Sequence, residues 1–222
     1  MSAELALVCG AGGALGQAVV AEFVARGDRV VAVGRRPGEA GPAVVPEVAD
    51  LTVAAEVDAL WARLADRGER PRWVVNAVGG YAAATVAETD DTLFESMHDV
   101  NLASAFWSSR AAARSLESGG AIVNVGARTG LTGGAGSGAY AVAKAGVIRL
   151  TEVLAAELAP RRIRVNAVLP SVLDTPVNQA MLNPQRMGSA VSTAELATVI
   201  GFLCSDGARA VTGAAVPVYG WA

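Results

Sequence analysis

Hydrophobic positions in this chain come as short continuous runs separated by longer stretches of helical period. Residues 4–9 (ELALVC) predict a strand that runs into Gly10-Ala11-Gly12-Gly13-Ala14-Leu15-Gly16; the helix after it carries Leu15, Val19, Val20 and Phe23 on one side. A second strand is predicted over 29–33, ending at Gly34-Arg35-Arg36. A third apolar stretch precedes Asp50-Leu51, and 53–67 has the period of an amphipathic helix. WVVN at 73–76 predicts a fourth strand, landing on Ala77-Val78-Gly79-Gly80. Residues 92–116 read as mostly helical with Asn101 inside, where asparagine is unfavourable, so a kink or a working side chain is expected. AIVNV at 121–125 is a fifth strand, followed by a glycine-laden loop over 126–138 and a long helix to Leu158. A sixth strand at 163–169, a helix at 193–203 and a last strand at 214–218 complete the pattern. Uninterrupted apolar strands alternating with helices predict a parallel sheet covered on both faces. The expected fold is α/β, a Rossmann-type doubly wound sheet in three layers, α/β/α. With no internal repeat and no linker composition, 1–222 reads as a single domain.

Composition narrows the class. Hydrophobic residues make up 52% of 222, ample for a core on both faces of a sheet, yet no apolar run approaches the roughly 18 residues of a membrane span. The start lacks the basic stretch and long apolar run of a signal peptide. Cys9 and Cys204 fit no metal spacing and lie in apolar runs, so both are expected to be reduced core thiols. His98 is the sole histidine and is expected at the surface; neither a metal site nor a histidine-based triad is available. A net charge of −3 without a basic tract argues against nucleic acid. A soluble cytoplasmic protein acting on small molecules, with no membrane partner, is the expectation.

Three stretches carry chemistry. A strand, a glycine turn and a helix form the arrangement in which backbone N–H groups and a helix N-terminus receive a pyrophosphate. Here Leu15 stands where the usual third glycine would be, and Gly16 follows one position later. At the end of the second strand, where NAD-preferring folds place a carboxylate for the ribose, the chain has Arg35 and Arg36, which suit a 2′-phosphate. In Tyr140-Ala141-Val142-Ala143-Lys144, the tyrosine and lysine share one helix face. Lys144 is the only lysine among 18 basic residues, and a compact ammonium is not replaceable by a guanidinium where it must hold hydroxyls. A cation about 5 Å from the phenol would favour phenolate by about 3 kcal/mol, or about two pK units. Tyr140 is thereby expected near neutral pH, ready to exchange a proton with a substrate.

In order and spacing, these pieces resemble the short-chain dehydrogenase/reductase family along almost the whole chain. The turn is similar to its T-G-x-x-x-G-x-G, with Cys9 for the threonine and Ala14 for the middle glycine. The resemblance implies nucleotide contacts from Gly10, Gly12, Gly13, Ala14, Leu15 and Gly16, and an adenine contact from Asp50 with Leu51. Asn76, Ala77, Val78 and Gly79 resemble a degraded N-N-A-G. Pro170, Val172 and Thr175 belong to a segment like P-G-x-x-x-T beside the nicotinamide, with Ser171 for its glycine. Tyr140 is implied as catalytic acid, Lys144 as the ribose-binding lysine, and Asn101 as the holder of a relay water. The cofactor expected is NADPH, with NADH possible, and the assembly expected is a homodimer or homotetramer through the helices near 92–116 and 138–158. Residues 177–192 are expected to form a short substrate loop.

One position departs. Thirteen residues before Tyr140, where the family has its catalytic serine, stands Ala127. Losing one such donor costs an acyl-transfer enzyme about 2.7–4 kcal/mol. Thr129 and Ser137 are the candidate substitutes. The chain is similar in this to dihydropteridine reductases, which carry G-A at this strand end, whose V-A-G-G-W is approximated by Ala77-Val78-Gly79-Gly80-Tyr81, and whose electrophilic quinonoid substrates need less help. Further similarity runs through Val168-Leu169-Pro170-Ser171-Val172-Leu173-Asp174-Thr175-Pro176; Arg35-Arg36 departs from their NADH-type pattern. The expected activity is reduction of an activated C=N, quinonoid or carbonyl group. The alternatives are an ordinary ketone or 3-oxoacyl reductase, and a nucleotide-binding sensor or scaffold that has lost turnover.

Overall fold

In the computed structural model, residues 3–221 are described, Arg186 by its backbone alone. Among them, seven parallel strands form one sheet in the order β3-β2-β1-β4-β5-β6-β9. The strands are β1 (Leu5–Cys9), β2 (Arg29–Gly34), β3 (Val44–Val48), β4 (Trp73–Asn76), β5 (Ala121–Val125), β6 (Arg164–Pro170) and β9 (Ala215–Val218). β1 pairs in register with β2 on one side and β4 on the other. The chain reverses its direction of strand addition between these two, and a crevice opens beyond their carboxyl ends at such a switch point.

Strand alternation divides the core in two. Leu5, Leu7 and Cys9 of β1 pack with Val57, Leu60 and Leu64 of α2 (Ala54–Asp66), Ala112 of α4 (Ser104–Ser115) and Leu154 and Leu158 of α6 (Gly138–Leu158). Ala6 and Val8 face the other way, against Val19 and Phe23 of α1 (Ala14–Ala25) and Leu196, Ile200 and Leu203 of α9 (Thr193–Cys204). Every residue of β1 is buried, which is why no polar position interrupts that strand. The three layers expected are the ones present, and both cysteines are free and buried.

Three features go beyond the hydrophobic pattern. The helix expected over 92–116 is α3 (Asp91–His98) and α4 joined by a π-helical turn, Asp99–Ala103, with Asn101 at its middle. Inserting such a turn is the way a helix accommodates a residue whose side chain has other business. The glycine-laden loop contains a short helix, α5 (Arg128–Thr132). In the expected substrate loop, α7 (Pro176–Met181) and α8 (Pro184–Met187) lead to β8 (Val191–Ser192), which pairs with β7 (Leu173–Asp174).

A polar ladder crosses the buried sheet. Asn76 and Asn124 stand opposite each other in the β4–β5 register. Asn76 donates through Nδ2 to Asn124 Oδ1 at 2.8 Å and to Ser109 Oγ at 2.9 Å, and Asn124 Nδ2 donates to Thr151 Oγ1 at 2.9 Å. Most buried polar groups are paired; Asn76 Oδ1 is left without a partner, but the bonds made tie the ends of β4 and β5 to α4 and α6.

Candidate active site

A cleft of about 1160 Å³ lies beyond β1 and β4, larger than the roughly 300–1,000 Å³ of an ordinary small-molecule pocket. Gly10, Gly12 and Gly13 line it from the first turn, Arg35 and Arg36 from the end of β2, Asp50 and Leu51 from beyond β3, and Ala77, Val78 and Gly79 from beyond β4. Gly10 has a φ of +84°, and a Cβ there would come within 2.9 Å of the Ala77 and Val78 backbone. At Gly16, a Cβ would meet the Gly10 oxygen at 2.1 Å. The shifted third glycine thus has a steric cause: it lets α1 start directly against the turn.

Ala14, Leu15 and Gly16 are not on the cleft lining; Leu15 is core, 8% exposed. Asn76 is buried in the ladder below, and Pro170 at the end of β6, Val172 after it and Thr175 before α7 all lie off the lining. The Thr175 side chain caps α7 by accepting from the Asn178 N–H. Asp50 accepts from the Thr52 N–H and hydroxyl at 2.9 and 2.7 Å, which, with Arg35 as a lesser cause, holds its carboxyl below the usual range. Glu39 also lines the cleft, a carboxylate that reading the end of β2 alone had passed over.

Tyr140, Lys144 and Asn101 are also off the cleft lining, but Gly79, which is on it, lies against both Lys144 and Asn101. Lys144 is 3% exposed and donates to the Val125 carbonyl at 2.8 Å. A Cβ on Gly79 would lie 3.2 Å from Lys144 Nζ and 3.1 Å from Asn101 Oδ1, a tight fit that glycine relieves. Asn101 Nδ2 donates to the Gly80 carbonyl at 3.0 Å and to the Met97 carbonyl at 3.1 Å, while the Gly80 N–H donates to Oδ1 at 3.2 Å. The asparagine side chain is thus committed to clamping backbone.

The electrostatics correct one expectation. Tyr140 is pushed up to about 12, by burial first and by Tyr81 second, and burial draws Lys144 down to about 8. The ammonium lies 6.0 Å from the Tyr140 ring centroid and is turned to Val125, so desolvation outweighs attraction. Burial leaves Tyr140 a protonated phenol at neutral pH rather than a lysine-lowered one.

Ala127 is buried at the start of α5, and a Cβ on Gly130 would meet Lys144 backbone at 2.7 Å, so α5 packs hard on α6. Thr129 Oγ1 is buried without a hydrogen-bond partner, whereas Ser137 Oγ is used by the Gly134 carbonyl at 2.9 Å. The contact between Tyr81 and Tyr140, edge-on at 5.0 Å between centroids, was not anticipated. An aromatic directly after a Gly-Gly pair at a strand end was the available signal. His98 is half-exposed beside Asp99, as expected. Among the described residues no group of His, Cys, Asp and Glu is placed to hold a metal.

Fold and cleft define a dinucleotide-binding protein of the Rossmann class. Residues 10–220 match the family model described as enoyl-(acyl carrier protein) reductase. The 3-oxoacyl-[acyl-carrier-protein] reductase of Pseudomonas aeruginosa is 33% identical over 99% of this chain and 97% of its own length. Galactitol 2-dehydrogenase of Rhizobium johnstonii is 36% identical over 98% and 94%. Among solved structures, 3-ketoacyl-(acyl-carrier-protein) reductase from Brucella melitensis, complexed with NADH, superimposes with a TM-score of 0.86 at 28% identity, covering 98% of this chain and 97% of that one. Aldohexose dehydrogenase from Thermoplasma acidophilum gives 0.87 at 26%, over 98% and 93%. The chain belongs to the short-chain dehydrogenase/reductase family and is an oxidoreductase of the NAD(P)-dependent kind.

Proposed function

We propose that this protein reduces an activated C=N, quinonoid or carbonyl group at the expense of NADPH, with Tyr140 as proton donor. The observation that supports this reading most is a buried methyl, Ala127, at the position where the family resemblance expects a carbonyl-polarising hydroxyl. The glycine turn suits the group: Gly10 and Gly16 let the backbone close on itself, and Gly12, where a Cβ would meet nothing within 4 Å, leaves the cleft wall bare. Bound, the nicotinamide supplies a hydride. Tyr140 releases its proton to the substrate heteroatom that gains electron pair density, so one hydride and one proton complete the reduction. A phenol held up to about 12 is protonated across the physiological range and so has a proton to give. Lys144 would hold the ribose hydroxyls and move its charge toward the phenolate as it forms. Arg35 and Arg36, both exposed, would take the 2′-phosphate.

A second reading, an ordinary ketone or 3-oxoacyl reductase, is favoured by Thr129 Oγ1, a buried hydroxyl without a partner two residues after Ala127, and by the names of the relatives. NADPH absorbance with quinones, quinonoid pterins and ketones separates the readings. The expected order is quinonoid over ketone, and Tyr140→Phe is expected to lower turnover by about 10²–10⁴-fold while nucleotide affinity holds. A Tyr140→Phe variant that keeps most of its activity would place the proton elsewhere.

A further inference from the structure

We infer that Tyr81 forms an aromatic wall of the substrate site, so that the acceptor this protein takes is flat and conjugated. The inference rests on the proposed reduction at Tyr140 and names its substrate class. Tyr81 lies in a short stretch pinned at both ends. On one side, Gly80 is held by both polar atoms of the Asn101 amide, at 3.0 and 3.2 Å. On the other, Ala84 bridges to Ser137, and the Gly138 N–H donates to the Ala84 carbonyl at 3.2 Å, tying the stretch to the start of α6, half a turn before Tyr140. Between these anchors the Tyr81 ring is set at 84° to Tyr140.

Despite that fixed backbone, Tyr81 is 58% exposed. A large aromatic held by two anchors and still open to solvent leaves ring surface uncovered beside the proton donor. Edge-on packing uses the edge of one ring against the face of its neighbour, and a flat substrate brought to Tyr140 would complete the cluster by stacking or by a second edge contact. Such contact is tolerant of ring substituents and selective against acyclic, tetrahedral skeletons, which present no flat face. It also agrees with Ala127: a conjugated acceptor spreads the developing charge over its ring system and depends less on a single hydrogen-bond donor. Asn101 is then a positioning residue, acting on substrate through Gly80 and Tyr81.

The test uses the holoenzyme with menadione, a flat quinone, and diacetyl, an activated acyclic ketone. β-Naphthol, which is flat and has no reducible group, reports binding by fluorescence in the presence of NADP⁺. Tyr81→Ala is expected to raise KM for menadione at least about tenfold more than for diacetyl, and to weaken β-naphthol in parallel; Tyr81→Phe restores both. Equal losses of kcat on the two substrates with KM unchanged would show that Tyr81 only holds Tyr140, and would overturn the inference, as would β-naphthol binding unaltered by Tyr81→Ala. If neither substrate is reduced while β-naphthol binding still depends on Tyr81, the aromatic wall stands and the proposed reaction falls.

Discussion

On the β1–β4 side of the cleft the wall is backbone. A Cβ at Gly10 would strike the chain after β4, and one at Gly16 would strike Gly10 itself. Past the end of β5, off that lining, the groups are side chains: Tyr140 against Tyr81, Lys144 reaching Val125, and a methyl at Ala127. The first surface is dictated by a ligand that brings its own phosphates and hydride chemistry, and only close approach and N–H donors are asked of the protein. The second must distinguish substrates, and there single atoms change the outcome. A Cβ is excluded by backbone at Gly10 and Gly16, whereas at Ala127 the side chain alone decides what the site offers.

The largest expected effect lies on the side-chain side. Burial draws Lys144 from 10.5 to about 8. Folding below about pH 8 must therefore desolvate a charge, at about 3 kcal/mol, and that cost fades as pH rises toward 10.5, where the unfolded lysine loses its proton too. The hydrogen bond to Val125, worth about 1 kcal/mol, offsets part of it. Lys144→Met is expected to lower turnover by about two orders of magnitude. The nucleotide-free variant should also be about 1–2 kcal/mol more stable than wild type at pH 7, an advantage gone by pH 10.5. Denaturant titrations at both pH values check this; a less stable variant at pH 7 would mean that the ammonium is well solvated where it sits.

Gly16→Ala probes the backbone side. The turn must open to clear the 2.1 Å approach, at about 1–3 kcal/mol of strain. Nucleotide affinity is expected to fall at least about tenfold while the substrate preference of the remaining activity is unchanged. A shift in substrate preference would dissolve the distinction between the two walls. Smaller still is the effect of replacing both Arg35 and Arg36 by alanine. Charge-assisted contacts contribute about 1.5–3 kcal/mol each, but both guanidiniums are exposed and Glu39 lines the same cleft. An NADPH preference of about tenfold should collapse toward parity. Equal titration of NADPH and NADH in the wild type would remove the basis for that preference.

How much could be read without coordinates follows the same divide. Strand ends at Asn76 and Val125 and both ends of α6 are marked by abrupt changes of hydrophobic period, so they were legible, as was the glycine turn. Tyr81 against Tyr140, 59 positions apart in number, could not be placed by period or spacing, because the anchors that align them are backbone hydrogen bonds of Gly80 and Ala84. Nor could spacing foretell the state of Tyr140: a lysine one turn away implies attraction, but only burial reveals that desolvation prevails. The asparagine ladder was closer to hand. Two strands that both place Asn among apolar neighbours, WVVN and AIVNV, signal a buried pair that must satisfy itself.

The most direct measurement is the ratio of turnover on a quinonoid acceptor to turnover on a simple ketone, compared between wild type and Ala127→Ser with NADPH. A hydroxyl restored at this position should help only where oxyanion character is large. The account predicts a few-fold change on the quinonoid substrate and a gain of tenfold or more on the ketone, toward the about 2.7–4 kcal/mol that such a donor can supply. A wild type that already reduces plain ketones efficiently, with Ala127→Ser adding nothing, would contradict it and point to Thr129 as the missing donor.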